Sequence, residues 1–392
     1  MNIKRLTTLI ALFTIIILAS SAQKLPKQES ILNAMELANK HFIEKHPDAG
    51  AATFVKKMRP SNLWTRGVYF EGLYELTVIE KKVNSPLYDT NFKYIIDWGN
   101  AHEWFPRNGI KTRNADDYCC GQTYLRIYSQ IKDYVCLEPT MQCMDNTLRN
   151  RESLSDWTWI DAIQMGLPVL TKLSQIKATE GDETFSRYAD WGWKMYAWTR
   201  NEEGGGLFNK EEGLWWRDKD FVPPYKEPNG KNCYWSRGNG WVYAALVRAM
   251  QDIMDTPNYD SHLDDYKADF LAMTEALKKC QRKDGFWNVS LHDESNFGGK
   301  ELTGTSLFLY GMAWGVNNGI LPKKEYQPII IKTWNALVKE CLHKDGTLGF
   351  VQGTGKQPSD SQPVAFDSEP DFDDFGLGCF LLAGSEVYKL KK

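Results

Sequence analysis

The sequence predicts an all-α protein, a single (α/α)6 barrel of six helical hairpins. Three observations carry this. Apolar residues recur at helical spacing in twelve segments along the 392 residues. Alternate segments differ in kind, one amphipathic and the next apolar or small on nearly every face. Strands do not alternate with helices and no Pro/Ser-rich linker divides the chain, so a (β/α)8 barrel or a doubly wound sheet fits poorly.

The chain opens on a leader. Lys4 and Arg5 precede an apolar run from Leu6 to Leu18, and Ser20-Ser21-Ala22 supplies small residues for cleavage before Gln23. Residues 1–22 therefore read as a signal peptide and 23–392 as the mature barrel. The run is short for a membrane span, and no second apolar stretch approaches spanning length. No cysteine stands near the cleavage point to carry a lipid. The expectation is export to the periplasm or beyond, with no stable membrane insertion.

The twelve helical segments lie near 29–45, 64–79, 87–104, 117–132, 138–150, 158–175, 182–199, 238–254, 262–281, 303–317, 323–341 and 373–389, separated by Gly/Pro/Asn/Asp stretches. The odd-numbered ones carry a charged face, as in Asp264-Asp265-Tyr266-Lys267-Ala268-Asp269-Phe270-Leu271, and read as outer helices. The even-numbered ones, such as Gly376-Leu377-Gly378-Cys379-Phe380-Leu381-Leu382-Ala383-Gly384, are apolar all round and read as inner helices. These begin near 64, 116, 158, 237, 303 and 373, a spacing too irregular for an open repeat array.

Composition excludes several functions. Lys plus Arg number 47 against 50 Asp plus Glu, a net charge of −3, which removes the electrostatic case for nucleic acid. The 15 Trp, 18 Tyr and 18 Phe, 13% of the chain, suit a large core and an aromatic-lined cleft for a flat ligand such as a sugar. The eight cysteines, at 119, 120, 136, 143, 233, 280, 341 and 379, form no CxxC pair and no Cys/His zinc spacing, so no metal is expected. Export permits a Cys136–Cys143 disulfide, and buried free thiols fit equally well. There is no GxSxG, GxGxxG or P-loop, so no nucleotide or other cofactor is expected.

Polar and aromatic residues gather where the inner helices start: Trp64 and Arg66; Asp116 and Asp117; Trp157, Trp159 and Asp161; Trp235, Arg237 and Trp241; Thr303 and Thr305; Asp371, Asp373 and Asp374. Parallel inner helices bring these ends to one mouth. Asp373, Asp374 and Thr303 read as ordinary N-caps. Asp161 reads differently. Placed within its helix, it has Trp157, Thr158, Gln164 and Met165 as neighbours at helical spacing, with no Lys or Arg among them. A carboxyl so held keeps its proton toward neutral pH and can donate it. Asp116-Asp117 offers a second carboxylate. Gly238 and Gly240 weaken a helix and so imply close approach of a ligand or a neighbouring helix, with Arg237 beside them suited to a planar carboxylate.

Trp159-Ile160-Asp161 with Met165, Trp235-Ser236-Arg237-Gly238-Asn239-Gly240-Trp241, Glu301-Leu302-Thr303-Gly304-Thr305-Ser306 and Phe375-Gly376-Leu377-Gly378-Cys379-Phe380-Leu381-Leu382-Ala383 together resemble glycoside hydrolase family 105. These are the unsaturated rhamnogalacturonyl hydrolases, close to the unsaturated glucuronyl hydrolases of family 88. The resemblance runs from about residue 30 to the C-terminus. It implies an (α/α)6 barrel that takes a 4-deoxy-Δ4,5-unsaturated uronic acid from the non-reducing end of lyase-generated oligosaccharides, rhamnogalacturonan-type or related, by hydrating the C4=C5 enol ether. By that analogy Asp161 protonates C4 and then, as carboxylate, activates the water that attacks C5. Asp116 matches the second acidic residue best, with Asp117 as the fallback. Trp159, Arg237 and Trp241 match residues lining the sugar subsite, and Trp64, Asp117, Thr305 and Arg217 complete the expected lining. One segment departs from the pattern: Gly213-Leu214-Trp215-Trp216-Arg217-Asp218-Lys219-Asp220 has Arg217 near a position where many members carry His. The departure concerns substrate rather than mechanism, and the aglycone need not be rhamnose.

Two other readings compete. An (α/α)6 sugar epimerase or isomerase relies on His pairs, and the six His, at 41, 46, 102, 262, 292 and 343, avoid the inner-helix starts. A non-catalytic exported glycan-binding protein explains the aromatics and the leader, but not a buried Asp without a partner.

Overall fold

The computed structural model describes residues 24–391, so the leader expected at 1–22 lies outside the described residues. Six outer helices, α1 (Gln28–Lys45), α3 (Tyr88–Ala101), α6 (Glu138–Arg149), α8 (Ser186–Asn201), α10 (Leu263–Cys280) and α12 (Lys323–Glu340), alternate with inner ones. The inner set is α2 (Trp64–Val83), the broken pair α4 (Ala115–Tyr118) and α5 (Gly121–Ile131), α7 (Asp161–Thr179), α9 (Ser236–Met254), α11 (Leu302–Asn317) and α13 (Phe375–Lys389). Two small antiparallel hairpins, β1 (Thr53–Val55) with β2 (Lys57–Arg59) and β3 (Phe208–Asn209) with β4 (Leu214–Trp215), sit in connections.

The inner helices close a ring: α2 packs on α5, α5 on α7, α7 on α9, α9 on α11, α11 on α13 and α13 back on α2. Closure explains the composition of the even segments. An inner helix touches two inner neighbours and an outer helix, so an apolar or small residue is needed on every side, and in α11 every residue from Leu302 to Gly315 is buried. The two glycines that lower propensity in α9 are explained by neighbours. A Cβ on Gly240 would stand 2.9 Å from Leu307 of α11, and one on Gly238 would stand 3.2 Å from Ile160 before α7.

The inner helices run parallel. Near their N-termini, Thr65 and Arg66 of α2 bond Asp374 beside α13. Gly304 of α11 lies against Ser236 of α9, where an added Cβ would come within 2.0 Å of the Ser236 Oγ. Near their C-termini, Thr171 of α7 donates to Asp252 of α9 at 3.0 Å, and Asn317 of α11 donates to Glu386 of α13 at 2.8 Å.

Below the mouth the ring encloses a polar axis. Gln164 of α7 donates to Glu71 of α2 at 3.0 Å, and Arg248 of α9 lies 3.4 Å from the same carboxyl. Burial pushes Glu71 up to about 7, against the opposing pull of Arg248 and Arg126. All eight cysteines are free thiols, seven of them buried. No helix among the described residues is long and apolar enough to cross a membrane.

Candidate active site

The starts of the inner helices gather at one mouth, and the residues there differ in burial and in partners. Asp161 is the first residue of α7, preceded by a turn at Ile160 and a β-bridge at Trp159. This corrects the expectation of a helix from 158 with Asp161 inside it. The backbone before it is tied to the connection between α8 and α9: Trp159 and Asp218 form an antiparallel bridge, and the Ile160 N–H donates to the Arg217 carbonyl at 3.0 Å. That stitching brings in a cation. Arg217 Nε donates to Asp161 Oδ2 at 3.0 Å, and Arg217 Nη1 donates to Asp218 Oδ2 at 2.7 Å. The expectation of an Asp161 with no cation is therefore also corrected. The partner arrives from a loop remote in sequence, which helical spacing cannot reveal.

Of the two acids, Asp116 is the one with no bonded cation among the described residues. Helix α4 is a single turn capped by Asn114, whose side chain accepts from the Asp116 N–H at 3.0 Å, so Asp116 is not needed as a cap. Burial pushes the Asp116 carboxyl up to about 7; Asp161 and Asp117 reinforce the rise, while Arg217 and Arg107 oppose it. Its neighbour Asp117 is tied to its own loop, accepting from Asn108 at 2.9 Å and Thr112 at 2.6 Å, with Arg107 at 3.6 Å. Of the two acids, Asp117, expected to contact substrate, is held instead by its own loop, and Asp116 is not.

Three other expected contacts belong to the wall. Arg237, 1% exposed, donates to the carbonyls of Gln352 at 2.6 Å and Gly353 at 2.7 Å, and its guanidinium lies over the rings of Trp235 and Phe375. It grips the loop before α13 and does not present its fork to a ligand. Trp241 is fully buried and meets Trp64 edge-on at 6.2 Å, so it backs Trp64 and does not line the cleft. Thr305, also fully buried, accepts from the Trp287 N–H at 3.1 Å. Trp64 and Trp159 are half-buried.

The expected caps are redistributed. Glu301, not Thr303, caps α11, accepting from the N–H groups of Thr303 and Gly304. Asp374 caps α13 as expected and pairs with Arg66, whereas Asp373 pairs with Lys45 and His46. Asp218 was missed in the sequence reading. Its adjacency to Arg217 within an aromatic segment was the available signal. Among the described residues, no group of three or more His, Cys, Asp or Glu is arranged to hold a metal ion.

The assembled site is thus two interacting carboxyls, Asp161 paired with an arginine and Asp116 pushed up to about 7. The family model of glycosyl hydrolase family 88 matches residues 34–391. The chain belongs to glycosyl hydrolase family 88. An unsaturated 3S-rhamnoglycuronyl hydrolase of Formosa agariphila is 33% identical over 348 residues, 84% of this chain and 85% of that protein. A second protein of that name, from an Alteromonas species, is 30% identical over 296 residues, 70% of this chain and 66% of the relative. Among solved structures, a family 88 glycosyl hydrolase of Bacteroides vulgatus superposes with a TM-score of 0.80 at 28% identity, covering 93% of this chain and all of that one. A possible family 105 member from Salmonella enterica has a TM-score of 0.68 at 17% identity over 93% of this chain and 95% of its own, and so shares the fold. Membership of family 88 makes the chain a glycoside hydrolase and removes the epimerase and glycan-binding readings.

Proposed function

We propose that this family 88 enzyme releases a 4-deoxy-Δ4,5-unsaturated uronic acid from the non-reducing end of lyase-generated oligosaccharides by hydrating the C4=C5 enol ether. The observation that carries this reading is the juxtaposition of two carboxyls at the mouth, Asp161 bonded by Arg217 and Asp116 pushed up to about 7 by burial and then by the nearby Asp161. An enol ether needs an acid to protonate carbon and a base to activate water, and a coupled carboxyl pair supplies both. In the free enzyme Asp116 stores the proton. As substrate enters, the pair delivers it through Asp161 to C4, and the positive charge at C5 is shared with the ring oxygen. Asp161, now carboxylate, takes a proton from the water that adds to C5. The hemiketal opens as the bond from C5 to the ring oxygen breaks. The hemiacetal left at C1 then collapses, releasing the aglycone as an alcohol. Arg217, whose Nη2 is not used in bonding Asp161 or Asp218, is the cation suited to the uronate carboxylate in place of Arg237. Trp64 and Trp159 offer ring surface to the sugar.

The relatives' names support a rhamnose–glycuronate type of substrate. The leader at residues 1–22 supports export to the periplasm or the medium. The test is isotopic. In heavy water the product should carry deuterium at C4, and in ¹⁸O-water the label should enter at C5. A conventional two-carboxylate glycosidase would place the oxygen on the anomeric carbon and leave C4 unlabelled. That result, or turnover of a saturated uronide at a comparable rate, would overturn the proposal.

A further inference from the structure

Asp218 touches neither carboxyl of the pair, yet the site is built around it. Its side chain is 10% exposed and its two oxygens are divided between two tasks. Oδ2 accepts from Arg217 Nη1 at 2.7 Å, and Oδ1 accepts from the Asp220 N–H at 2.9 Å. The Phe221 N–H donates to the Asp218 carbonyl at 3.1 Å, and the bridge to Trp159 fixes the same residue to the backbone that carries Asp161. Arg217 is therefore held at its carbonyl by Ile160, at Nη1 by Asp218 and at Nε by Asp161. A guanidinium is a rigid planar fork, so fixing one nitrogen sets the direction of the others. We infer that Asp218 is a positioning residue for the reaction, acting on Asp161 through the guanidinium of Arg217.

The inference rests on the proposed reading of the Asp116–Asp161 pair, and it has two consequences. First, Arg217 without Asp218 keeps only Asp161 of these two side-chain anchors, so the guanidinium and Asp161 are less firmly oriented together. Second, the negative charge of Asp218 offsets part of the Arg217 charge felt by the pair. The charged and titratable groups around the pair are Arg217 from the α8–α9 connection, Arg107, Asp117, Tyr118 and Cys119 in or beside α4, and Arg237 from α9. Of these, only Arg217 is in turn bonded by Asp218. Removing that charge strengthens the pull of Arg217, so the pair gives up its proton at lower pH. Asp218→Glu keeps the charge and changes only the reach.

The experiment compares wild type, Asp218→Asn and Asp218→Glu by two readouts. Steady-state bleaching of the unsaturated substrate gives kcat, KM and their pH profiles. Infrared titration of the carboxylic acid band, assigned by its loss in Asp116→Asn, reports the proton on the pair without turnover. For Asp218→Asn we expect kcat to fall about tenfold with KM changed less than twofold, and both the alkaline limb and the infrared midpoint to move to lower pH. Asp218→Glu should restore the midpoint and part of kcat. Wild-type kcat and an unmoved infrared midpoint in Asp218→Asn would overturn the inference, as would a loss confined to the thermal midpoint. If wild type does not bleach the substrate, the proposed function falls, while the infrared titration still decides whether Asp218 acts on the pair.

Discussion

The Arg237 guanidinium stands 2.6 Å from the Gln352 carbonyl oxygen, and the same glutamine binds the loop that follows it. The Gln352 side chain accepts from Trp235 Nε1 at 2.9 Å and donates to the carbonyls of Gln357, Pro358 and Asp360. One buried cation thus organises the connection between α12 and α13. Its neighbour Gly353 is held by the second terminal nitrogen.

Arg237→Lys should therefore be a stability variant. Lysine keeps the charge but cannot reach two consecutive carbonyls or stack flat on Trp235 and Phe375. Losing charged hydrogen bonds of this kind costs about 2–3 kcal/mol. Thermal unfolding should register a clear fall. A rise in KM with an unchanged midpoint would show that Arg237 reads the ligand after all.

Asp161→Asn should keep the barrel and stop bleaching. Asparagine accepts from Arg217 as the carboxylate does, but it cannot give and recover a proton. Acid–base help of this kind is worth about 10²–10⁴-fold. A folded Asn variant retaining more than about a tenth of wild-type activity, too small a loss for such a role, would remove Asp161 from the mechanism.

The pH profile should show where the proton is stored. Asp116 holds its proton up to about 7, so the proton-bearing pair is lost as pH rises through that value, and kcat/KM should fall on the alkaline side. Asp116→Asn has no carboxyl to titrate there. It should be slower by about 10²-fold at neutral pH and lack that limb. A limb at the same pH in Asp116→Asn would assign it to another group.

Stability should carry a second signature, far from the mouth. Glu80 is buried, accepts from Asn91 at 2.7 Å, and is pushed up to about 7, first by burial. A carboxyl raised in the fold stabilises it below the unfolded value, and that contribution disappears as pH climbs through the folded one. Glu80→Gln keeps an oxygen for Asn91 and cannot ionise. Its thermal midpoint relative to wild type should rise between pH 5 and 8. A gap that stays constant over this range would mean that Glu80 titrates normally.

Helical period and the polarity of alternate segments were enough to define the barrel, because the inner ring demands apolar residues on every side. Asp116 was visible as an acid at a helix start and Asp161 as one inside its helix, and the family pattern picked both out. Their electrostatic roles were not visible. Spacing rules register partners within a helix, whereas Arg217 reaches Asp161 from 56 positions downstream. Arg237 was misread for a related reason. A Gly-flanked arginine looks the same in sequence whether it faces a cleft or the carbonyls of Gln352 and Gly353.

The parallel run of the inner helices has an electrostatic consequence. Each α-helix carries the equivalent of roughly half a positive charge at its N-terminus. Five full-length inner helices and the single turn of α4 aim that end at the same mouth. The acids at these ends, Glu301 and Asp374 as caps and Asp161 opening α7, answer part of that charge, and what is left favours an anion at the mouth. Oligosaccharides rich in uronate would be drawn to that opening over a distance set by the Debye length, about 10 Å at 0.1 M salt. Capture of longer, more highly charged chains should then weaken most steeply as salt is added, while turnover of bound substrate hardly changes.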